Sequence, residues 1–222
     1  MAALYPGPTL VFVSNPPKSS PGPHKHLKYA KSEAKALQKI LSDKRCEVMF
    51  NKEPNEIFKK LKDGAYRSLL FIGHFSHDYK ETQLPFVTSQ GEFTFKKHDL
   101  ATFLAFNGKS LELILLNGCC SKETGDAIAE VWINELKHDS FPTIICWEDN
   151  VKDDHAKQFS VGLFKMLAAE SESEGGETLN SRVESYLKNM EDMEGMRPTL
   201  IARPVTNEDL QQKIDELPEE II

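Results

Sequence analysis

Two residues with the chemistry for covalent catalysis, His74 and Cys119, each end an apolar run. Ser68-Leu69-Leu70-Phe71-Ile72-Gly73 leads into His74, and Leu111-Glu112-Leu113-Ile114-Leu115-Leu116-Asn117-Gly118 leads into Cys119. Short apolar runs bounded by turn residues read as buried parallel strands. In an open α/β sheet, groups just past the carboxyl ends of neighbouring strands meet in one crevice. A thiol and an imidazole meeting there make a nucleophile with its general base. Gly73 lets backbone approach closely beside His74, as a substrate cleft needs.

Each residue has neighbours that compete for its role. His77 is a second candidate base, and Asp78 a candidate to orient an imidazole. Cys120 is the rival thiol and is expected to point into the core beneath the turn. Gly118 and Ser121 around Cys119 mark a turn, and a following helix would place the thiol at a helix amino terminus, where a thiolate is stabilised. His74-x-x-His77 with the cysteines also has the look of a zinc site, but no Cys-x-x-Cys or His-Glu-x-x-His spacing accompanies it, and no metal is expected. Trp147-Glu148-Asp149 follows a further apolar run, so Glu148 is expected on the same sheet edge, where an acid would attract a basic substrate side chain. Asp149, Asp153 and Asp154 also suit the start of the next helix, with Asp153 and Asp154 read mainly that way.

The elements that must position these groups alternate between strand and helix. Strands are expected at 9–14, 46–50, 68–73, 111–117 and 143–147, with a last one near 199–202. Helices are expected at 27–41, 54–61, 99–106, 124–136, 153–168 and 179–190. Residues 15–23, rich in proline, serine and glycine, form a loop over the carboxyl edge of the sheet. A long loop runs from His74 to Pro85, and Phe86-Val87-Thr88 with Glu92-Phe93-Thr94-Phe95 forms a small hairpin. Such alternation implies a mostly parallel sheet with right-handed crossovers. Residues 1–169 are expected to form the domain. Residues 170–222 follow as an acidic linker and a helical extension that could belong to the same domain.

The chain has 222 residues, formal net charge -7 and four cysteines. That length suits one domain with a sizeable core. The negative charge makes nucleic acid and anionic membranes poor partners. No run reaches the length of a membrane span, and the amino terminus does not read as a signal peptide. The four cysteines lie in or beside expected strands, which is not a disulfide framework and suits a reducing compartment, cytoplasm or nucleus. The lysines of the first half and the acids of the tail read as solvated surface.

At these residues the chain resembles the CHAT family, caspase-like domains related to separase and caspases. Leu10-Val11-Phe12-Val13-Ser14-Asn15-Pro16 resembles the family's opening strand and Asn-Pro turn. Glu33 sits where that family often has an acid. Leu70-Phe71-Ile72-Gly73-His74 resembles the catalytic histidine strand, and Leu115-Leu116-Asn117-Gly118-Cys119-Cys120-Ser121 the nucleophile motif. Ile145-Cys146-Trp147-Glu148, with Ala156 and Phe159, resembles the strand and helix that close the domain. The His-to-Cys separation of 45 residues is close to the roughly 50 of caspase-type enzymes.

The resemblance implies a caspase-like three-layer αβα sandwich and a cysteine endopeptidase that needs no cofactor. Cys119 would attack the peptide carbonyl to give a thioester, and His74 would transfer the protons. Backbone N–H groups of Cys119 and Phe75 would hold the oxyanion. Glu148, Asn117 and Phe75 would contact substrate. Asn117 stands where metacaspase relatives carry an acid. Phe75 stands where relatives usually have glycine, and its ring is expected to crowd the cleft. A protein or peptide substrate and a regulatory protein partner are implied. Two other readings stay open: a catalytically inactive caspase-like domain that binds proteins, and a flavodoxin-like or TIR-like nucleotide-binding domain. No G-x-G-x-x-G or Walker A pattern supports the last.

Overall fold

The computed structural model describes residues 7–19, 24–78, 81–88, 91–136, 141–169, 178–190 and 198–201. Six strands form the main sheet, in the order β2-β1-β3-β7-β8-β9. They are β1 (Thr9–Val13), β2 (Cys46–Phe50), β3 (Ser68–Ile72), β7 (Leu113–Asn117), β8 (Thr143–Trp147) and β9 (Pro198–Ile201). All neighbours are parallel except β9, which runs antiparallel to β8. Every residue of β1, β3, β7 and β8 is buried. That is why these runs are mainly apolar rather than alternating: helices cover both faces of a parallel sheet.

The alternation of side chains divides two cores. Leu10, Phe12, Leu69, Phe71, Ile114, Leu116 and Ile144 face one layer of helices. That layer comprises α2 (Pro54–Asp63), α3 (Lys97–Asn107) and α4 (Lys122–Leu136). Val11, Val13, Leu70, Ile72, Leu113, Leu115, Ile145 and Trp147 face the other. That layer comprises α1 (Ala30–Leu41), α5 (Asp153–Ala169) and α6 (Leu179–Met190). The result is the expected three-layer αβα sandwich with a mostly parallel central sheet. The segment after α5 continues the same layers, since Leu179 and Val183 of α6 enter the second core and β9 pairs along β8.

A second sheet of three antiparallel strands, in the order β4-β5-β6, stands beside the carboxyl edge. It contains β4 (Ser76–Asp78), β5 (Glu81–Thr88) and β6 (Gly91–Lys96). The expected hairpin is therefore present, but the loop expected between His74 and Pro85 is mostly strand. Its ladder partners are residues of the same hairpin, Ser76 with Gln83 and His77 with Thr82, and neither polar run shows a strand signature. Ser14 fastens this sheet to β1: its Oγ donates to the Pro85 carbonyl at 2.8 Å and accepts the Val87 N–H at 2.9 Å.

The first helix also differs from its expected span. It begins at Ala30, not Leu27. Asn15 removes Leu27 from helix formation by taking both of its backbone groups: Oδ1 accepts the Leu27 N–H at 2.8 Å and Nδ2 donates to its carbonyl at 2.9 Å. Residues 24–29 thus form an irregular strap at the carboxyl edge of the sheet. The acidic stretch 170–177, the tail 207–222 and residues 20–23 of the first loop lie outside the described residues. Among the described residues, no helix is long and apolar enough to cross a membrane.

Candidate active site

His74 and Cys119 leave adjacent strands side by side. Ile72 of β3 and Asn117 of β7 are register partners, and each candidate stands two residues beyond its partner. Gly73 and Gly118 make the turn between. A Cβ at Gly118 would lie 2.2 Å from the Gly73 carbonyl oxygen and 2.6 Å from the Phe75 ring. Only glycine permits that approach, and it sets the spacing of the two strand ends.

The strap determines the state of His74. Its Nε2 lies 2.6 Å from the Lys25 carbonyl oxygen, which can only accept, so Nε2 carries the proton. In the neutral ring, Nδ1 is then the free basic nitrogen. Burial pushes the His74 imidazole below its ordinary value, and the nearby His24 adds to that. The Lys25 carbonyl, Asp153 and Glu92 act in the opposite direction. The ring is accordingly neutral at pH 7, as a general base must be. His24 lies beside it, with ring centroids 5.2 Å apart, and its Nδ1 donates to Glu92 Oε1 of β6 at 2.8 Å. His26 Nδ1 donates to the Pro16 carbonyl at 2.7 Å.

Cys119 is half-buried, and its Sγ–H donates to the Val151 carbonyl at 3.3 Å. Cys120 is also half-buried, contrary to the expectation that it points into the core. It adopts a left-handed conformation, φ 53°, which turns its thiol toward Asn150 Oδ1 at 3.7 Å. Its N–H donates to the Asp149 carbonyl at 3.1 Å, which holds that unusual backbone in place. Burial pushes the Cys120 thiol up, and the Cys119, Asp149 and Glu123 charges add to this, so its thiolate is disfavoured. Ser121 is the residue that enters the core. Fully buried, it donates through Oγ to the Leu116 carbonyl at 2.8 Å and accepts the Trp147 N–H at 2.9 Å. This clips the turn between β7 and α4 to the end of β8.

Asn117 is not at the cleft surface. It is 2% exposed, and its amide is engaged on every side by the protein. Nδ2 donates to Glu33 Oε1 at 2.6 Å and to the Ala156 carbonyl at 3.0 Å, while Oδ1 accepts the Trp147 Nε1–H at 2.9 Å. Glu33 also accepts the Ser160 hydroxyl at 2.6 Å, and its Oε2 has no partner. Burial pushes the Glu33 carboxyl up to about 7. Bonds from Ser160 and Asn117 oppose the rise, Asp153 reinforces it and Lys157 opposes it. The acid that sequence flagged in the first helix is therefore an internal brace of the nucleophile strand, joined to α5.

The Phe75 ring also differs from expectation. It does not crowd the cleft: it is 6% exposed and packs edge-on against Phe71 at 5.2 Å, in the core with Leu116. Its backbone remains next to His74. Among the described residues, no acceptor pairs with the N–H of Phe75 or of Cys119. Glu148 is exposed just past Trp147, beside the Asp149 that holds Cys120. His77 and Asp78 fall in β4. The Lys25 carbonyl was not foreseen at all. A backbone oxygen has no sequence signature, and the only trace was Asn15, which bends the strap over the site.

No curated protein matches the chain in sequence. Among solved structures, a secreted C11 cysteine protease from Bacteroides thetaiotaomicron, in complex with an irreversible peptide inhibitor, is similar at 11% identity and a TM-score of 0.45. The similarity covers 82% of this chain and 58% of that one, so this chain spans little more than half of that protease chain. The family model described as the CHAT domain matches residues 3–193. That span takes in both strand ends, the strap and the α6 layer, and the chain belongs to the CHAT domain family.

Proposed function

We propose that this domain is a cysteine endopeptidase working through Cys119 and His74. The observation that supports it best is the bond from His74 Nε2 to the Lys25 carbonyl. It leaves Nδ1 as the basic nitrogen of an imidazole whose strand end neighbours the one that carries the thiol. Nδ1 takes the Cys119 proton as sulfur attacks the peptide carbonyl carbon. The oxyanion is met by the N–H groups of Cys119 and Phe75. The C–N bond then breaks, with the proton passing from Nδ1 to the leaving amine and the acyl group staying on sulfur. Water, deprotonated by the same nitrogen, hydrolyses the thioester and restores the thiol.

Glu148 is the substrate-contacting acid in this reading. It is exposed on the segment that borders Cys120, where it can meet a basic side chain. Asn117 contributes through the strand it braces, and Phe75 through its backbone. The substrate is a protein or peptide, and a regulatory protein partner belongs to the same proposal.

The test is digestion of a mixed peptide library, with new amino and carboxyl termini read by mass spectrometry. Cleavage that is lost in Cys119→Ala and in His74→Ala is the expected result. Cleavage that survives in Cys119→Ala contradicts the proposal.

A further inference from the structure

We propose that Asp153 is a positioning residue that couples the strap over His74 to the segment holding the Cys119 thiol. This rests on the peptidase reading above. The two halves of the dyad are held from different parts of the chain. His74 is held by the Lys25 carbonyl of the strap. Cys119, Cys120 and Asn117 are held by the carbonyls of Val151, Asp149 and Ala156, all in the segment that opens α5. One side chain joins these systems: Asp153 Oδ2 accepts the Tyr29 N–H at 2.8 Å, across 124 residues of sequence.

That use of an aspartate at a helix start is informative. Acids in the first turn ordinarily serve the N–H groups of their own helix. Asp154 does so, its Oδ1 accepting the His155 N–H at 3.0 Å. Asp153 instead reaches α1 and satisfies the N–H of the residue preceding it, a group that helix geometry leaves without an internal partner. The strap has other anchors: Asn15 on Leu27, the Pro16 carbonyl on His26, and Glu92 on His24. These lie on its β1 and β6 sides, so among the described residues Asp153 is the anchor that fixes the strap to the nucleophile side. Lys28 and Lys157 lie over the Tyr29 ring at 5.1 and 5.5 Å. They flank this contact with positive charge.

Asp153 also acts on His74 through space, favouring its charged form together with Glu92, while His24 opposes both. Positioning and charge can therefore be separated by two substitutions. In Asp153→Ala both are lost. In Asp153→Asn the amide oxygen still accepts the Tyr29 N–H, and only the charge is removed.

The experiment measures the rate of Cys119 alkylation by a peptidyl acyloxymethyl ketone between pH 5 and 8, with hydrogen exchange at the Tyr29 amide as a second readout. Wild type, Asp153→Ala and Asp153→Asn are compared. Asp153→Ala is expected to react about tenfold or more slowly and to exchange the Tyr29 amide faster. Asp153→Asn is expected to recover the wild-type rate at pH 8, retain slow exchange and move the acid limb to lower pH. Should the alanine variant fail to fold, the asparagine variant alone tests the proposal through its exchange and its pH shift. Wild-type rates and exchange in Asp153→Ala, or an unmoved acid limb in Asp153→Asn, overturn the role of Asp153 and leave the peptidase reading intact. A wild-type protein that forms no adduct at Cys119 overturns both.

Discussion

His74 donates its Nε2 proton to the carbonyl of Lys25, a residue 49 positions earlier in the chain. That bond fixes the tautomer, and with it which nitrogen can act as base. The side chain that supplies the imidazole is thus set by one strand, and its chemistry by a strap from another part of the chain.

The acid limb of reactivity follows from His74. Burial holds its imidazole below the ordinary value of 6.5. The neutral ring is the form that can accept the thiol proton, so reactivity is lost only as pH falls through that lowered value. The same shift makes a stability contribution that is present above 6.5 and lost on acidification. Cys119 alkylation followed against pH should show an acidic midpoint below 6.5, and a midpoint above it would contradict this environment.

Gly118→Ala should harm the site without touching a reactive group. Its Cβ would meet the Gly73 carbonyl oxygen at 2.2 Å, backbone against backbone, so one strand end must shift. Overpacking of this kind costs about 1–3 kcal/mol. Urea denaturation should show that loss, and alkylation of Cys119 should slow with it. Full reactivity in the variant would separate strand spacing from function.

Phe75 offers a test of where its ring lies. As a core residue against Phe71 and Gly118, its truncation in Phe75→Ala should cost about 3–5 kcal/mol. No gain in reactivity is expected. Faster alkylation, or cleavage of bulkier peptides, would place the ring in the cleft instead.

Glu33 should make the protein less stable as pH rises. Its carboxyl stands near 7 when folded against a usual 4.5. The contribution of the protonated acid is complete below 4.5 and disappears as pH rises through 7. Glu33→Gln keeps an oxygen for Asn117 and Ser160 and does not titrate. Between pH 5 and pH 8, wild type should lose on the order of 2 kcal/mol relative to the variant, as read by urea denaturation at each pH. Parallel profiles would show that the buried acid is ionised throughout.

The fold was legible wherever one periodicity ruled. Buried parallel strands such as β3, β7 and β8 announce themselves as apolar runs, and the helices between them follow. The two strand ends carrying His74 and Cys119 were readable for the same reason. The ladder of β4 with β5 was not, because its residues are polar and its partner lies within the same hairpin. The true start of α1 was hidden by Asn15, a tertiary bond that overrides helical periodicity at Leu27. The fates of Asn117, Phe75, Cys120 and Ser121 turn on which way each side chain leaves one tight turn. A left-handed Cys120 reverses that pattern, and sequence spacing does not reveal it.

The central claim is that Cys119 is the nucleophile and His74 its base. The most direct measurement is intact mass after incubation with peptidyl acyloxymethyl ketones, followed by mapping of the modified residue. The account predicts a single adduct on Cys119, absent from Cys119→Ala, retained in Cys120→Ala and slowed in His74→Ala. An adduct on Cys120, or one that persists in Cys119→Ala or forms as fast in His74→Ala, would contradict it.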